Sequence, residues 1–178
     1  PEVELFIDAN CSLDLYHARQ LCQMIEPFHI EFFEEPITQN DIRHMAELRS
    51  QTTIRLACGQ NEGQAYRFRD MMIAGAVDII QPNVAITGGF TQCQKIAALA
   101  NSFNISVDNG GAWPFFNQHL QAGLSNGGLV EYHYSSVEVC KRLYIGLPEP
   151  KKGWLTMTDA PGLGFELNTA ALRHYEID

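Results

Sequence analysis

Basic residues are scarce in this sequence: 12 Lys and Arg stand against 21 Asp and Glu among 178 residues, a formal net charge of −9. Nucleic-acid binding needs clustered Lys and Arg to neutralise phosphates, so no nucleic-acid partner is expected. Long apolar runs are missing as well. No stretch approaches the roughly 18 residues that suggest a membrane span, so no membrane partner is expected, and Pro1-Glu2-Val3-Glu4 has nothing of a signal peptide. Cysteine is sparse and unpaired: Cys11, Cys22, Cys58, Cys93 and Cys140 are odd in number and never form a C-x-x-C pair. That argues against a disulfide framework and a thiolate zinc site, and a reducing, cytoplasmic setting is expected. The acidic excess names no ligand, because solvated helix faces account for most such imbalances.

What the sequence does contain is a repeat. Six short stretches rich in Val, Ile and Phe read as buried strands: VELFID from Val3, HIEFFEE from His29, TIRLAC from Thr53, AVDIIQ from Ala76, NISVDN from Asn104 and GLVEYH from Gly128. Each runs into a polar residue, in turn Asp8, Glu34, Gln60, Asn83, Asn109 and Glu131, at steps of 26, 26, 23, 26 and 22 residues. Helical patterns fill most of the gaps. Ala18, Leu21, Cys22 and Ile25 share one helix face, as do Ile96, Leu99, Ala100 and Phe103, while Phe68, Met71 and Met72 mark a third helix ending near Gly75. Ser12 is the expected N-cap of the first helix, with Asp14 in its first turn.

Strands alternating with helices at this spacing predict βαβ units and a parallel sheet. In a barrel the polar strand ends converge on one mouth. If Asp8, Glu34 and Gln60 point inward, alternation turns Phe6, Phe32 and Cys58 inward too, with Ile7, Phe33 and Gly59 toward the helices. Carboxylates ending adjacent apolar strands are costly to bury without a counter-charge, and a divalent metal supplies one. After Tyr144 the pattern changes to loops, with one short strand expected around Trp154 to Met157. Residues 1–144 are therefore read as barrel and 145–178 as a tail that packs on the barrel or on another domain.

Asp8-Ala9-Asn10, Glu34-Glu35-Pro36, the Gly59 strand end, Val77-Asp78-Ile79-Ile80-Gln81-Pro82-Asn83, Gly88-Gly89-Phe90-Thr91 and Pro161-Gly162-Leu163-Gly164 together resemble the mandelate racemase/muconate lactonizing enzyme branch of the enolase superfamily. The resemblance runs over nearly the whole chain. It implies an α/β fold, a partial TIM-type (β/α) barrel with about six of the eight strands, without the N-terminal capping domain and the first two strands. It implies Mg²⁺ held on carboxylates at consecutive strand ends, stabilising the enediolate formed when a base removes the proton α to a substrate carboxylate. By resemblance Asp8 and Glu34 are metal ligands and Asn10 contacts substrate.

Two departures from the family pattern bear on chemistry. Where most relatives place an acid directly after the glycine, Gly59 is followed by Gln60, then Asn61 and Glu62. Gln60 reads either as a neutral third ligand or as a partner of loop backbone, with Glu62 able to compensate if its loop folds back. A His/Asp base pair is also missing, since those sites read Asn83 and the run Asp108-Asn109-Gly110-Gly111. Asp108 is the remaining acid there; Glu131 matches an acid that donates to the enediolate in some relatives, and His133, two residues on, is the histidine expected to face the substrate. Glu35 is read as a supporting or ion-paired acid, Gly88-Gly89 as a tight turn or an anion-binding one, and Trp113, Phe115 and Phe116 as core or pocket wall. The family's other base, a lysine in a K-x-K motif, is absent from the sequence. The expectation is an acid-sugar dehydratase-type lyase in a longer, homo-oligomeric protein acting on a small carboxylate. The alternatives are a racemase or epimerase, a catalytically silent barrel, or an inert fragment.

Overall fold

The computed structural model describes residues 3–177. Strand and helix alternate from the start: β1 Phe6–Asp8, α1 Leu15–Ile25, β2 Phe32–Glu34, α2 Ile42–Arg49, β3 Arg55–Cys58, α3 Ala65–Ile73, β4 Ile79–Ile80, α4 Phe90–Ser102, β5 Ser106–Asn109, α5 Pro114–Ala122, β6 Gly127–Val130 and α6 Tyr134–Leu143. The six strands are parallel and pair in sequence order, each crossing over through a helix. The result is an α/β half-barrel, with β1 and β6 as its edges. None of the helices among the described residues is long and apolar enough to cross a membrane.

Two apolar layers follow from strand alternation. Toward the helices, Phe33, Leu56, Cys58, Phe68, Met71, Val77, Ile80, Ile96 and Val107 form one continuous core. Toward the barrel axis, Phe32, Ala57 and Ile79 form a smaller cluster, joined by Phe6, whose ring lies 4.7 Å from that of Phe32. Phe32 and Phe33 thus face the two sides that alternation requires.

Cys58 does not. Glu34 pairs with Ala57, so β3 presents Ala57 to the axis, while the buried Cys58 thiol lies 3.6 Å from Met71 Sδ on the helix side. A one-residue change of phase exchanges every side chain between faces. Gly59 then turns the chain at φ +122°, with the Phe68 ring filling the space where a side chain would be.

Other local expectations are also corrected. Asp14, not Ser12, caps α1, its carboxylate accepting the His17 amide at 2.8 Å. Trp154–Met157 is not a strand: Trp154 makes only an isolated bridge to Lys151, and the short tail sheet pairs β7 Tyr144–Ile145 with β8 Glu166–Leu167, ahead of α7 Thr169–Tyr175. Phe165 packs edge-on against Phe115, Phe116 and Tyr144, which seats the tail on α5. The aromatic run of α5 is therefore core, with Phe115 fully buried.

Gly59→Ala is expected to destabilise the fold by about 2–5 kcal/mol, through left-handed backbone strain and displacement of Phe68. Urea denaturation reads this directly, and an unchanged midpoint would contradict the packing described.

Candidate active site

The register of β1 and β2 sets the site. Asp8 and Glu34 are direct Cα partners at the C-terminal ends of adjacent parallel strands, so both carboxyls lie on the same face at the same height. They open on a cleft of ≈ 410 Å³ whose floor is Phe6 and Phe32 and whose far side carries Gln81, Asp108, Asn109 and Glu131. Glu34 is buried, and burial is the main reason its carboxyl is pushed up to about 7, with the charges of Asp8, Glu131 and Glu35 adding to the effect and the Gln81 amide opposing it. Asp8 is more exposed. Partial burial still raises its carboxyl, against the opposing pull of the Asn10 amide, which donates to Asp8 Oδ1 at 2.6 Å. Two raised acids side by side, with no cationic side chain between them, are the electrostatic signature of a cation site.

Glu35 faces away from the cleft and is fully buried. Asn40 Nδ2 donates to its Oε1 at 2.9 Å, while Gln60 Nε2 and Asn61 Nδ2 donate to its Oε2 at 3.0 and 2.9 Å. The nearby Cys11 thiol is pushed up to about 12, chiefly by burial. One buried carboxylate is thus held by neutral donors alone. The nitrogen end of Gln60 is used here, and Glu62 does not fold back: it makes a two-pronged ion pair with Arg67 at 2.9 and 3.1 Å.

On the opposite side, Asp108 is buried and raised by desolvation, its Oδ1 accepting the Leu129 amide at 2.7 Å where the β5–β6 register slips. Asn109 Nδ2 donates to Gly110 O at 2.8 Å and leaves its buried Oδ1 without a partner. Glu131 Oε2 accepts the Ala112 amide at 2.8 Å, bracing the loop after β5. Asn83 lies above β4, fully buried, with its side-chain amide spent on the same loop. Asn10 is exposed beside Asp8 with φ +45°. β6 ends at Val130, so alternation does not carry to His133; it is the exposed residue that starts α6. Gly88 and Gly89, both at positive φ, turn the chain into α4.

Sequence reading overlooked Gln81. It follows Ile79 by two residues, so it shares the axis-facing side of β4, and it lies buried in the cleft with Oε1 unpartnered. Gly110 presses on it: a Cβ there would come within 2.8 Å of Gln81 Nε2 and 3.0 Å of Glu34 Oε1.

Residues 1–171 match the family described as enolase C-terminal domain-like. The chain belongs to that family. Among curated relatives, D-gluconate dehydratase from Thermoproteus tenax is 28% identical over 99% of this chain and 37% of its own length. Among solved structures, a mandelate racemase/muconate lactonizing enzyme from a marine actinobacterium, in complex with magnesium, superposes with a TM-score of 0.90 at 30% identity, over 99% of this chain and 50% of that one. L-talarate dehydratase from Polaromonas sp. JS666, complexed with Mg and L-glucarate, gives a TM-score of 0.87 at 28% identity, over 96% and 46%. The chain spans about half or less of the length of these relatives.

Does this enolase C-terminal domain-like chain fit a magnesium ion? Among the described residues no group of three or more His, Cys, Asp or Glu side chains is placed to hold a metal. What is present is a pair of carboxylates lacking a counter-charge, with unpartnered amide oxygens on Gln81 and Asn109 across the same cleft. An all-oxygen donor set of this kind suits a hard divalent cation, with less charge than three acids would supply.

The raised Glu34 makes stability pH-dependent in the metal-free protein. Its folded-state value of about 7 exceeds its ordinary 4.5, so the folded state holds the proton more tightly. Stability from this group is therefore full at acid pH and falls as pH rises from 4.5 to about 7, by on the order of 3 kcal/mol. Glu34→Gln is expected to flatten that slope in urea denaturation with EDTA at pH 5 and pH 8. An equally steep slope in the variant would remove Glu34 as its source.

Proposed function

We propose that the protein containing this chain is a Mg²⁺-dependent dehydratase of acid sugars. The observation that carries this is the in-register pair Asp8 and Glu34, with Glu34 raised to about 7, opening on a cleft. The dehydratases among the relatives support the substrate class: a small hydroxy-carboxylate. Asp8 and Glu34 would hold the ion, with the oxygen end of Gln60 as third ligand, since its nitrogen end is turned to Glu35. When bound, Mg²⁺ supplies Lewis-acid stabilisation of negative charge on the substrate carboxylate as its α-proton leaves.

The chain's own residues divide the remaining work. Asn10 and His133, both exposed at the rim, are assigned to substrate contacts. Asp108, held above the ordinary carboxylate range by burial, is suited to hold a proton beside the departing β-hydroxide. Asn109 offers an unpartnered amide oxygen to a hydroxyl, and Glu131 keeps the adjacent loop in place through Ala112. In this reading the acceptor of the α-proton would be the lysine that the family resemblance implies, and none of the residues named here is assigned that role. Elimination needs a base on one face only, whereas racemisation needs one on each. Asn83 does not titrate and its amide is fully bonded, which favours elimination over the racemase or epimerase reading. Homo-oligomerisation, a cytoplasmic location and a division into barrel 1–144 and tail 145–178 belong to the same proposal.

One observation favours a second reading, a barrel that binds without turnover: Gln60 gives its amide to Glu35 where most relatives place an acid. A screen of sugar acids with the intact, Mg²⁺-loaded protein separates the two. The dehydratase reading expects a 2-keto-3-deoxy product, lost on EDTA treatment, and Asp8→Asn or Glu34→Gln lowering kcat/KM by about 10²–10³-fold. Exchange of the α-hydrogen with solvent deuterium and no elimination would mean a racemase. No product and no exchange across the panel would mean the silent barrel.

A further inference from the structure

The turn after β5 is held in an unusual shape. Gly111, Ala112 and Trp113 all have positive φ, at 73°, 67° and 60°. Two of them carry side chains, and such conformations persist only where the surroundings over-determine them. The surroundings here are two buried asparagines from different segments, both fully inaccessible to solvent. Asn83 Nδ2 lies 2.8, 2.9 and 3.1 Å from the carbonyls of Gly110, Gly111 and Ala112. Asn117, on α5, directs its Nδ2 at Ala112 O, Trp113 O and Asn83 Oδ1, at 3.2, 3.1 and 3.1 Å. Their oxygen ends are used too: Asn83 Oδ1 accepts Ala85 N and Asn117 Oδ1 accepts Val84 N, both at 2.9 Å.

We propose that Asn83 and Asn117 form one positioning unit that fixes the Gly110–Trp113 turn against Glu34 and Gln81 and so sets the shape of the cleft. The chemistry at these positions demands an amide. Each side chain must donate to a cluster of carbonyl oxygens and at the same time accept a backbone N–H, which an ionised carboxylate cannot do. The turn leans on the cleft at Gly110, where a Cβ would lie 2.8 Å from Gln81 Nε2 and 3.0 Å from Glu34 Oε1. Neither asparagine touches the cleft itself; both act through the turn. The clamp is independent of the reaction assigned above, but its consequence for Mg²⁺ binding rests on that reading.

The test is hydrogen exchange of the segment 107–118 in the intact protein, for wild type, Asn83→Ala, Asn117→Ala and the isosteric Asn117→Asp, each checked for an unchanged circular dichroism spectrum. The expected result is exchange faster by at least about tenfold in that segment, with α3 unchanged, and Mg²⁺ affinity by calorimetry weaker by about tenfold. Asn117→Asp keeps the volume, so it covers the case in which the alanine variants fail to fold. Exchange equal to wild type in the variants that fold would overturn the proposal. Gly110→Ala supplies an independent arm: a Mg²⁺ affinity equal to wild type would show that the turn does not press on Glu34. A loosened turn in variants of a protein that neither binds Mg²⁺ nor turns over any sugar acid would sink the function above and leave the clamp standing. An active wild type whose variants exchange unchanged would do the reverse.

Discussion

Everything at the mouth of this half-barrel depends on the parallel register that sets Asp8 opposite Glu34. Two carboxyls on adjacent strand ends, facing one way, repel each other and resist desolvation together. The fold relieves neither penalty with a Lys or Arg. The Glu34 carboxyl stays high, at about 7, because burial outweighs the Gln81 amide, which favours its ionised form. Such an arrangement is unfavourable in the empty protein and becomes favourable when a divalent cation displaces the proton. The proposed function thus rests on an electrostatic deficit at the site.

The neighbouring acid is treated in the opposite way. Glu35 is more deeply buried than Glu34, yet three side-chain amides converge on it. Adjacent residues of one segment therefore meet different fates, one open to the cleft and one satisfied by the protein. Gln60 stands between them. In recruiting Gln60 to Glu35, the chain gives a buried carboxyl a neutral donor at the position where the family resemblance implies an acid. The asparagines at 83 and 117 follow the same pattern, since uncharged amides, not ionised groups, hold the turn after β5.

The two metal-type acids were legible in the sequence because each ends a strand rich in β-branched and aromatic residues, where a carboxylate is out of keeping with its surroundings. The helix-facing core was legible for the complementary reason, through the spacing of residues such as Phe68, Met71 and Met72. Regular spacing of polar residues is a poor guide to register: Gln60 stands as far from Glu34 as Glu34 does from Asp8, yet β3 pairs Ala57 with Glu34, which puts Cys58 on the opposite face from the one expected. Gln81 is not legible as a strand end because the hydrogen-bonded part of β4 is only Ile79–Ile80, and Asn83 carries the more conspicuous polar position beyond it. Asn117 carried no signal at all. Its role arises from a helix packing over a loop, a tertiary fact with no local periodicity.

If Asp8 and Glu34 hold a divalent cation as proposed, the ion must displace the proton that burial keeps on Glu34. Calorimetric titration of Mg²⁺ into the intact protein at pH 7, repeated in buffers of different ionisation enthalpy, counts protons released per ion bound. A fraction of a proton is expected to be released at pH 7, none at pH 9 where Glu34 is already ionised, and none in Glu34→Gln at either pH. Tight Mg²⁺ binding with no proton release at pH 7 would contradict this expectation, since the ion would then be meeting carboxylates that the fold had left in their ordinary state.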